Sequence, residues 1–249
     1  MLEINKIYNE DCIGENGMCL IADKSIDMIL CDLPYGTTQC KWDTTIPLPP
    51  LWEQYNRIIK KNGVIVLTSA QPFTTKLIAS NINNFKYSWV WEKSKATGFL
   101  NSKIRPLIAH EDILIFSNSK PRYYPQMSDG EAYNKGVRKK QTKDDVYGSF
   151  DQVEVKSSGL RYPRSVVYFK TAESEGKTIH KTQKPVELFE YLIKTYSNEN
   201  DVVLDNCIGA GTTAIASINT NRNYIGFELD KTYFDLANER IEYTMKERW

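Results

Sequence analysis

The chain has 249 residues, 41% apolar and 25% charged, with a formal net charge of +1, so it carries enough apolar material for a sizeable core and is not a disordered polyelectrolyte. No apolar run approaches the ~20 residues of a membrane span. Met1-Leu2-Glu3-Ile4-Asn5-Lys6 has no basic stretch leading into an apolar one, and the expectation is a cytoplasmic protein without a membrane partner. The five cysteines, Cys12, Cys19, Cys31, Cys40 and Cys207, show no CxxC or Cys/His spacing; this argues against a disulfide framework and a structural metal, and reduced thiols are expected.

In chain order, Leu2 to Tyr8 predicts a short strand, with Asp11 just beyond its end, and the apolar run Ile26 to Cys31 predicts a second. That run stops at Asp32-Leu33-Pro34-Tyr35-Gly36, where the Pro and Gly force a turn and present an acid, a carbonyl and an aromatic ring together at a strand end. In open α/β sheets ligands bind beyond the carboxyl ends of strands, although such a turn is also an ordinary structural device. Leu51 to Ile59 predicts a helix stopped by Asn62-Gly63, followed by strand Val64 to Leu67, helix Phe73 to Ser80, and strands Tyr87 to Trp91 and Asp112 to Phe116. From about 118 to 177 the pattern gives way to Pro, Gly, Lys, Arg, Tyr and Ser, with brief apolar groups such as Ser165 to Phe169, which predicts an irregular insertion. Helix Pro185 to Tyr196 with Pro185 at its first position, strand Val202 to Asp205, helix Thr212 to Asn219, strand Tyr224 to Glu228 and helix Lys231 to Lys246 complete the alternation. The pattern is that of an α/β protein with a mainly parallel sheet and helices on both faces.

The near-zero net charge conceals an uneven distribution. Residues 1–118 hold 12 Lys/Arg and 12 Asp/Glu, residues 119–184 hold 14 and 8, and residues 185–249 hold 6 and 11. A local basic excess interleaved with Tyr123, Tyr124, Tyr133, Tyr147, Tyr162 and Tyr168 suits phosphate and base contacts, and Arg122, Arg138, Arg161 and Arg164 are candidates for them. A solvated Lys-rich loop explains the charge equally well.

A second constellation, Asp205-Asn206-Cys207-Ile208-Gly209-Ala210-Gly211-Thr212-Thr213, joins a strand to a helix through a glycine loop that lets a ligand approach the backbone. The next strand ends at Glu228 with Asp230 behind it, where an acid accepts hydrogen bonds from ribose hydroxyls. No GxxxxGK[ST] occurs, and Asp205 would repel phosphate, so a neutral or cationic nucleoside fits better.

Taken together, the turn at Asp32 to Tyr35, the insertion and the late glycine loop resemble the S-adenosylmethionine-dependent DNA amino methyltransferases in their β-type permuted order. In that family a D-P-P-Y turn comes first, a target-recognition region follows and an F-x-G-x-G loop comes last. His180-Lys181-Thr182-Gln183-Lys184-Pro185 also resembles the family motif before the cofactor loop. Two departures stand out: Leu33 replaces a Pro of the turn, and Asn206-Cys207 replaces Pro-Phe.

The resemblance implies a seven-stranded Rossmann-like methyltransferase sheet, with residues 1–117 as the catalytic half, 118–178 as the target-recognition insertion and 179–249 as the cofactor-binding half. It implies S-adenosyl-L-methionine as cofactor and double-stranded DNA as partner. Asp32, Pro34 and Tyr35 are then catalytic. Asp11, Cys12, Asp32, Gln183, Lys184, Asp205, Cys207, Gly209, Gly211, Thr212, Thr213, Glu228 and Asp230 are expected around the cofactor, with Glu228 on the ribose and Asp11 on the adenine amine.

Lys41, Trp42, Asn101 and Arg105 join the arginines as candidate DNA contacts; Trp42 serves equally well as a packing residue, and His110 and His180 are structural or DNA-facing. No cysteine follows a Pro, which disfavours C5-cytosine chemistry. Asp at position 32 resembles the N6-adenine type. N4-cytosine transfer, a catalytically silent DNA-binding partner subunit and methylation of a protein amide are the alternatives. A homodimer and a restriction endonuclease counterpart are left open.

Overall fold

Eight strands form one sheet in the computed structural model, which describes residues 2–36, 43–137, 143–144, 148–149, 153–176, 178–179 and 183–247. The strands are β1 (Lys6–Tyr8), β2 (Ile26–Asp32), β3 (Ile59–Ser69), β4 (Phe85–Thr97), β5 (Ile108–Phe116), β6 (Val166–Phe169), β7 (Val202–Asp205) and β8 (Asn223–Phe227). Their order across the sheet is β1-β8-β7-β2-β3-β5-β4-β6. All pairings are parallel except those of β5 with β3 and β4. The expected seven strands become eight because Val166–Phe169, assigned by its surroundings to the insertion, pairs in parallel with Val90 to Lys93 at the sheet edge.

The helices are α1 (Leu48–Ile58), α2 (Phe73–Ser80), α3 (Val186–Tyr196), α4 (Thr212–Asn219) and α5 (Lys231–Glu247). Side chains alternate between faces along a strand, and the two faces of the central strands feed two cores. Ile29 and Cys31 of β2 and Ile65 and Leu67 of β3 pack with Leu51, Trp52 and Tyr55 of α1 and Phe73 and Leu77 of α2. Met28, Leu30, Val64 and Val66 pack instead with Leu188, Phe189, Leu192, Ile193 and Tyr196 of α3. A third cluster joins Ile7 and Tyr224 to Ile215 of α4 and to Ala237 and Ile241 of α5.

Three boundaries differ from the sequence expectation. Helix α1 begins at Leu48, because Pro49 and Pro50 fall in the first turn, where backbone N–H groups have no helical partner. It ends at Ile58 rather than at Asn62-Gly63. Ile59 turns extended while its N–H still caps Tyr55, and the buried Ile59 leads straight into β3, which carries Asn62 and Gly63 within it. Pro185 stands before the first turn of α3 rather than in it.

Two compact units result: residues 1–124 with 165–249, and Pro125–Arg164. The smaller unit is shorter than the expected 118–178 insertion. It is built from short antiparallel pairs, Tyr133–Val137 with Glu154–Ser157 and Ser128–Asp129 with Leu160–Arg161. Val153, Leu160 and Tyr162 are exposed on it. No helix among the described residues is long and apolar enough to cross a membrane.

Candidate active site

Adjacent parallel strands deliver their carboxyl ends to one edge of the sheet. Across β1, β8, β7 and β2 this edge carries, in spatial order, Asp11, Glu228, Asp205 and Asp32. Four neighbouring strands at about 4.8 Å spacing give a row about 14 Å long. These are the acids the sequence singled out from four separate stretches.

Asp32 closes β2 and is the most heavily bonded of them. Its Oδ1 accepts the Tyr35 hydroxyl at 2.9 Å and the Thr68 hydroxyl from the end of β3, and its Oδ2 accepts Lys184 Nζ at 2.6 Å. Lys184 is buried and lies 3.3 Å from Glu111 Oε2, while Lys93 Nζ lies 3.1 Å from Glu111 Oε1. Burial alone would weaken the Lys184 ammonium, but the Asp32 and Glu111 carboxylates outweigh it and hold lysine well above its usual range. Burial likewise favours a neutral Glu111, yet Lys184 and Lys93 keep its carboxyl below the usual value. Four charges of alternating sign, Asp32, Lys184, Glu111 and Lys93, therefore lie in a row beside the Asp32 turn.

The turn itself is shaped locally. Tyr35 stacks on Phe73 with centroids 5.4 Å apart, and burial, then the charges of Asp32 and Glu111, raise its phenol far above the normal value, so it stays a neutral donor. Gly36 adopts φ +67°, a Cβ there would meet Thr45 at 2.8 Å, and its N–H is held by Asp43 at 2.8 Å. Leu33, unexplained by the sequence, is buried in the core shared with α1 and α2. An apolar residue at that position anchors the turn from below.

In the glycine loop, Asp205 is buried, with Oδ1 accepting Cys207 N–H at 3.0 Å and Oδ2 accepting the Thr213 hydroxyl. Burial pushes its carboxyl up to about 6. Gly211 caps α4 in the left-handed region at φ +78°. Glu228 accepts Gly209 N–H and Asp230 N–H, each at 2.9 Å, and burial raises its carboxyl above the usual value. Asn206 donates to both Cys12 and Cys207 sulfurs, at 3.4 and 3.5 Å, and accepts the buried Tyr55 hydroxyl. Burial, the largest cause, pushes the neighbouring Cys31 thiol up to about 12. Asn206 and Cys207, the departure from Pro-Phe, thus form a polar knot under the loop.

The structure distributes the remaining predicted residues unequally. Lys184 joins Asp32 directly, and its carbonyl accepts the Thr212 hydroxyl at 3.3 Å, so it links the turn to the glycine loop. Gln183 accepts the Ile179 N–H, and Asp11 accepts the Ile13 N–H at 3.0 Å. Asp230 caps α5 through the N–H groups of Thr232 and Tyr233.

Arg122, a candidate DNA contact, is instead engaged with Asp201 at 2.7 Å and Asp27 at 3.4 Å, at the start of β2 and away from Asp32. Arg161 braces its own unit, bonding Ser157 and the Glu131 carbonyl and covering the Tyr133 ring at 5.0 Å. Asn101 and Arg105 lie on an exposed turn between β4 and β5 beside exposed Phe99, Leu100 and Ile104, and Arg164 is exposed. Lys41, Trp42 and Arg138 lie outside the described residues. Sequence reasoning missed Thr68, Lys93 and Glu111: Thr68 lies near the end of β3, the strand beside β2, whereas Glu111 on β5 and Lys93 on β4 belong to the next two strands of the sheet and carry no local signal. Among the described residues no three His, Cys, Asp or Glu side chains gather as a metal site.

A profile of the N6/N4 type described as DNA methylase matches residues 26–239. The chain belongs to this family. Among its relatives, the type II methyltransferase M1.MboII of Moraxella bovis is 27% identical over 96% of both chains. The type II methyltransferase M.BglII of Bacillus subtilis is 29% identical over 94% of this chain and 68% of its own. Among solved structures, the M1.HpyAVI-SAM complex is 25% identical, with a TM-score of 0.64 over 94% of this chain and 98% of that one. The cytosine-N4-specific PvuII DNA methyltransferase shares the fold, at 14% identity and a TM-score of 0.67 over 96% and 90%.

The family is S-adenosylmethionine-dependent, and the row of acids in this DNA methylase fits that cofactor: a cationic sulfonium with an ammonium suits neighbouring carboxylates, and a phosphate would not. When bound it supplies an electrophilic methyl group, whose C–S bond breaks as the new C–N bond forms, with the electron pair returning to sulfur. Glu228, bonded to Gly209 N–H, is the acid that would meet hydroxyl groups of the bound cofactor, and Asp205 holds the loop through Cys207 N–H.

Proposed function

We propose that this DNA amino methyltransferase transfers its methyl group to the exocyclic N6 amine of an adenine flipped out of double-stranded DNA. The observation that carries the choice of base is the carboxylate at the end of β2. Asp32, rather than a hydroxyl side chain, faces the reaction, fixed by Tyr35, Thr68 and Lys184.

An exocyclic amine is a weak nucleophile because its lone pair is delocalised into the ring. Asp32 and the Pro34 carbonyl accept its two N–H groups, draw the nitrogen towards a pyramidal geometry and free the lone pair. As positive charge develops on nitrogen, the Asp32 carboxylate stabilises it, and the surplus proton leaves through that hydrogen bond to solvent. The Tyr35 ring, braced by Phe73, is the surface we assign to the base. Lys184 and the glycine loop hold the cofactor beside it. The type II relatives support reading the chain as the modification arm of a restriction-modification pair.

Nucleosides from DNA methylated by the purified enzyme, analysed by mass spectrometry, should contain N6-methyladenine; N4-methylcytosine would overturn the choice of base. Asp32→Ala should abolish transfer while cofactor titration still shows binding. Retained transfer in that variant removes Asp32 from the mechanism.

A further inference from the structure

Asp32 is already crowded before a base arrives. A carboxylate offers about four lone-pair sites, and Tyr35, Thr68 and Lys184 occupy three of them. The strongest of these contacts, Lys184 Nζ at 2.6 Å on Oδ2, also neutralises the charge that the reacting amine requires. A lysine held this firmly weakens Asp32 as an acceptor unless the ammonium has somewhere else to go.

Glu111 supplies that place. It lies on β5, part-buried, with Oε1 held by Lys93 at 3.1 Å. Its Oε2 is shut off from solvent and makes no hydrogen bond; its approach to Lys184 Nζ at 3.3 Å is an ion pair without hydrogen-bond alignment. The ion pair compensates its charge, but the oxygen's capacity to accept a hydrogen bond is unused. A small movement of the flexible Lys184 stem would satisfy it and release Asp32 Oδ2.

We propose that Glu111 is a positioning residue for methyl transfer: it takes up the Lys184 ammonium as the target amine engages Asp32, with Lys93 holding Glu111 in place. This rests on Asp32 being the acceptor for the reacting amine. In both states Lys184 keeps a carboxylate partner, Asp32 keeps the Tyr35 and Thr68 hydroxyls and exchanges the ammonium for the amine on which positive charge develops, and no proton need move between the three side chains.

The test is steady-state kinetics of the full-length enzyme on duplex DNA, with cofactor titration alongside. Glu111→Gln should lower kcat about tenfold or more while the cofactor Kd and the KM for DNA change by less than about threefold, since the lost interaction is stronger in the transition state. Glu111→Asp, which retains the charge, should recover part of the loss. Glu111→Gln leaves Lys93 unpaired and can destabilise the fold, so Lys93→Met/Glu111→Gln is the second variant. It restores the balance of charge, and kcat should stay low. Recovery of full kcat in that double variant would show that Glu111 only balances charge, and would overturn the proposal, as would an unchanged kcat in Glu111→Gln. If Asp32→Ala is inactive while Glu111→Gln is fully active, the positioning role alone fails; an active Asp32→Ala removes both.

Discussion

Asp205 shows how a single buried acid couples the cofactor loop to pH. Its carboxyl is shifted from 3.8 to about 6 by burial, so the folded state holds the proton more tightly than the unfolded chain does. The favourable contribution is therefore fully present below about pH 4, declines between about pH 4 and 6, and is gone above. The shift corresponds to about 3 kcal/mol. Urea unfolding of wild type and Asp205→Asn at intervals from pH 4.5 to 8 should show the wild type losing ground to the variant as pH rises through about 6. A pH-independent difference would mean that the Cys207 and Thr213 hydrogen bonds, rather than burial, set the titration. Leu33 works in the opposite way: by filling the core under the turn it keeps Asp32 part-buried at the strand end, its side chain 22% exposed.

At the scale of elements, the ends of β2 have separate duties. Its carboxyl end carries Asp32, the acid proposed to react, and its amino end is clamped by Asp27, which meets Lys60 at 2.7 Å, Arg122 at 3.4 Å and the Val202 N–H at 3.1 Å. Arg122 adds a 2.7 Å bridge to Asp201 ahead of β7. Replacing it by Met should cost about 1 to 3 kcal/mol in chemical denaturation, because Asp27 is buried and loses a partner, while DNA affinity and its salt dependence stay unchanged. A fall in DNA affinity without loss of stability would return Arg122 to the DNA surface.

This clamp also shows where sequence legibility ends. The glycine loop, the catalytic turn and nearly every core element are continuous stretches whose periodicity and turn chemistry speak for themselves. The helix Phe73–Ser80 and the strand Val202–Asp205 match their sequence patterns at both ends. Arg122, Glu111 and Lys93 acquire their roles only through register: Glu111 pairs with Trp91 across β5 and β4, and nothing local announces that a lysine from residue 184 will meet it. The Val166–Phe169 strand was hidden for the same reason, since its partner strand lies some seventy residues earlier and its neighbours are polar.

For the whole molecule, the location of positive charge changes the expected DNA contact. The unit Pro125–Arg164 contains 8 Lys/Arg and 6 Asp/Glu, so most of the excess in residues 119–184 lies on its flanks, where Arg122 and Lys184 are already committed to acids. Phosphate contacts then fall to the other Lys and Arg of residues 119–184, and binding should weaken as salt rises. Arg164→Ala should reduce the slope of log affinity against log salt by about one if that exposed side chain meets a phosphate. An unchanged slope assigns Arg164 to other work.

The order β1-β8-β7-β2 has a consequence for synthesis. Strands β2 to β5 emerge from the ribosome early and can pair among themselves, but two places in the middle of the sheet stay vacant until Val202–Phe227 has been made. Until then the apolar edge Ile26–Cys31 has no neighbour on one side, and β1 has none at all. Such an edge invites association between nascent chains. The segment Val202–Phe227 is thus a late-arriving keystone, and a chain cut short before it would be an aggregation-prone fragment rather than a weaker enzyme.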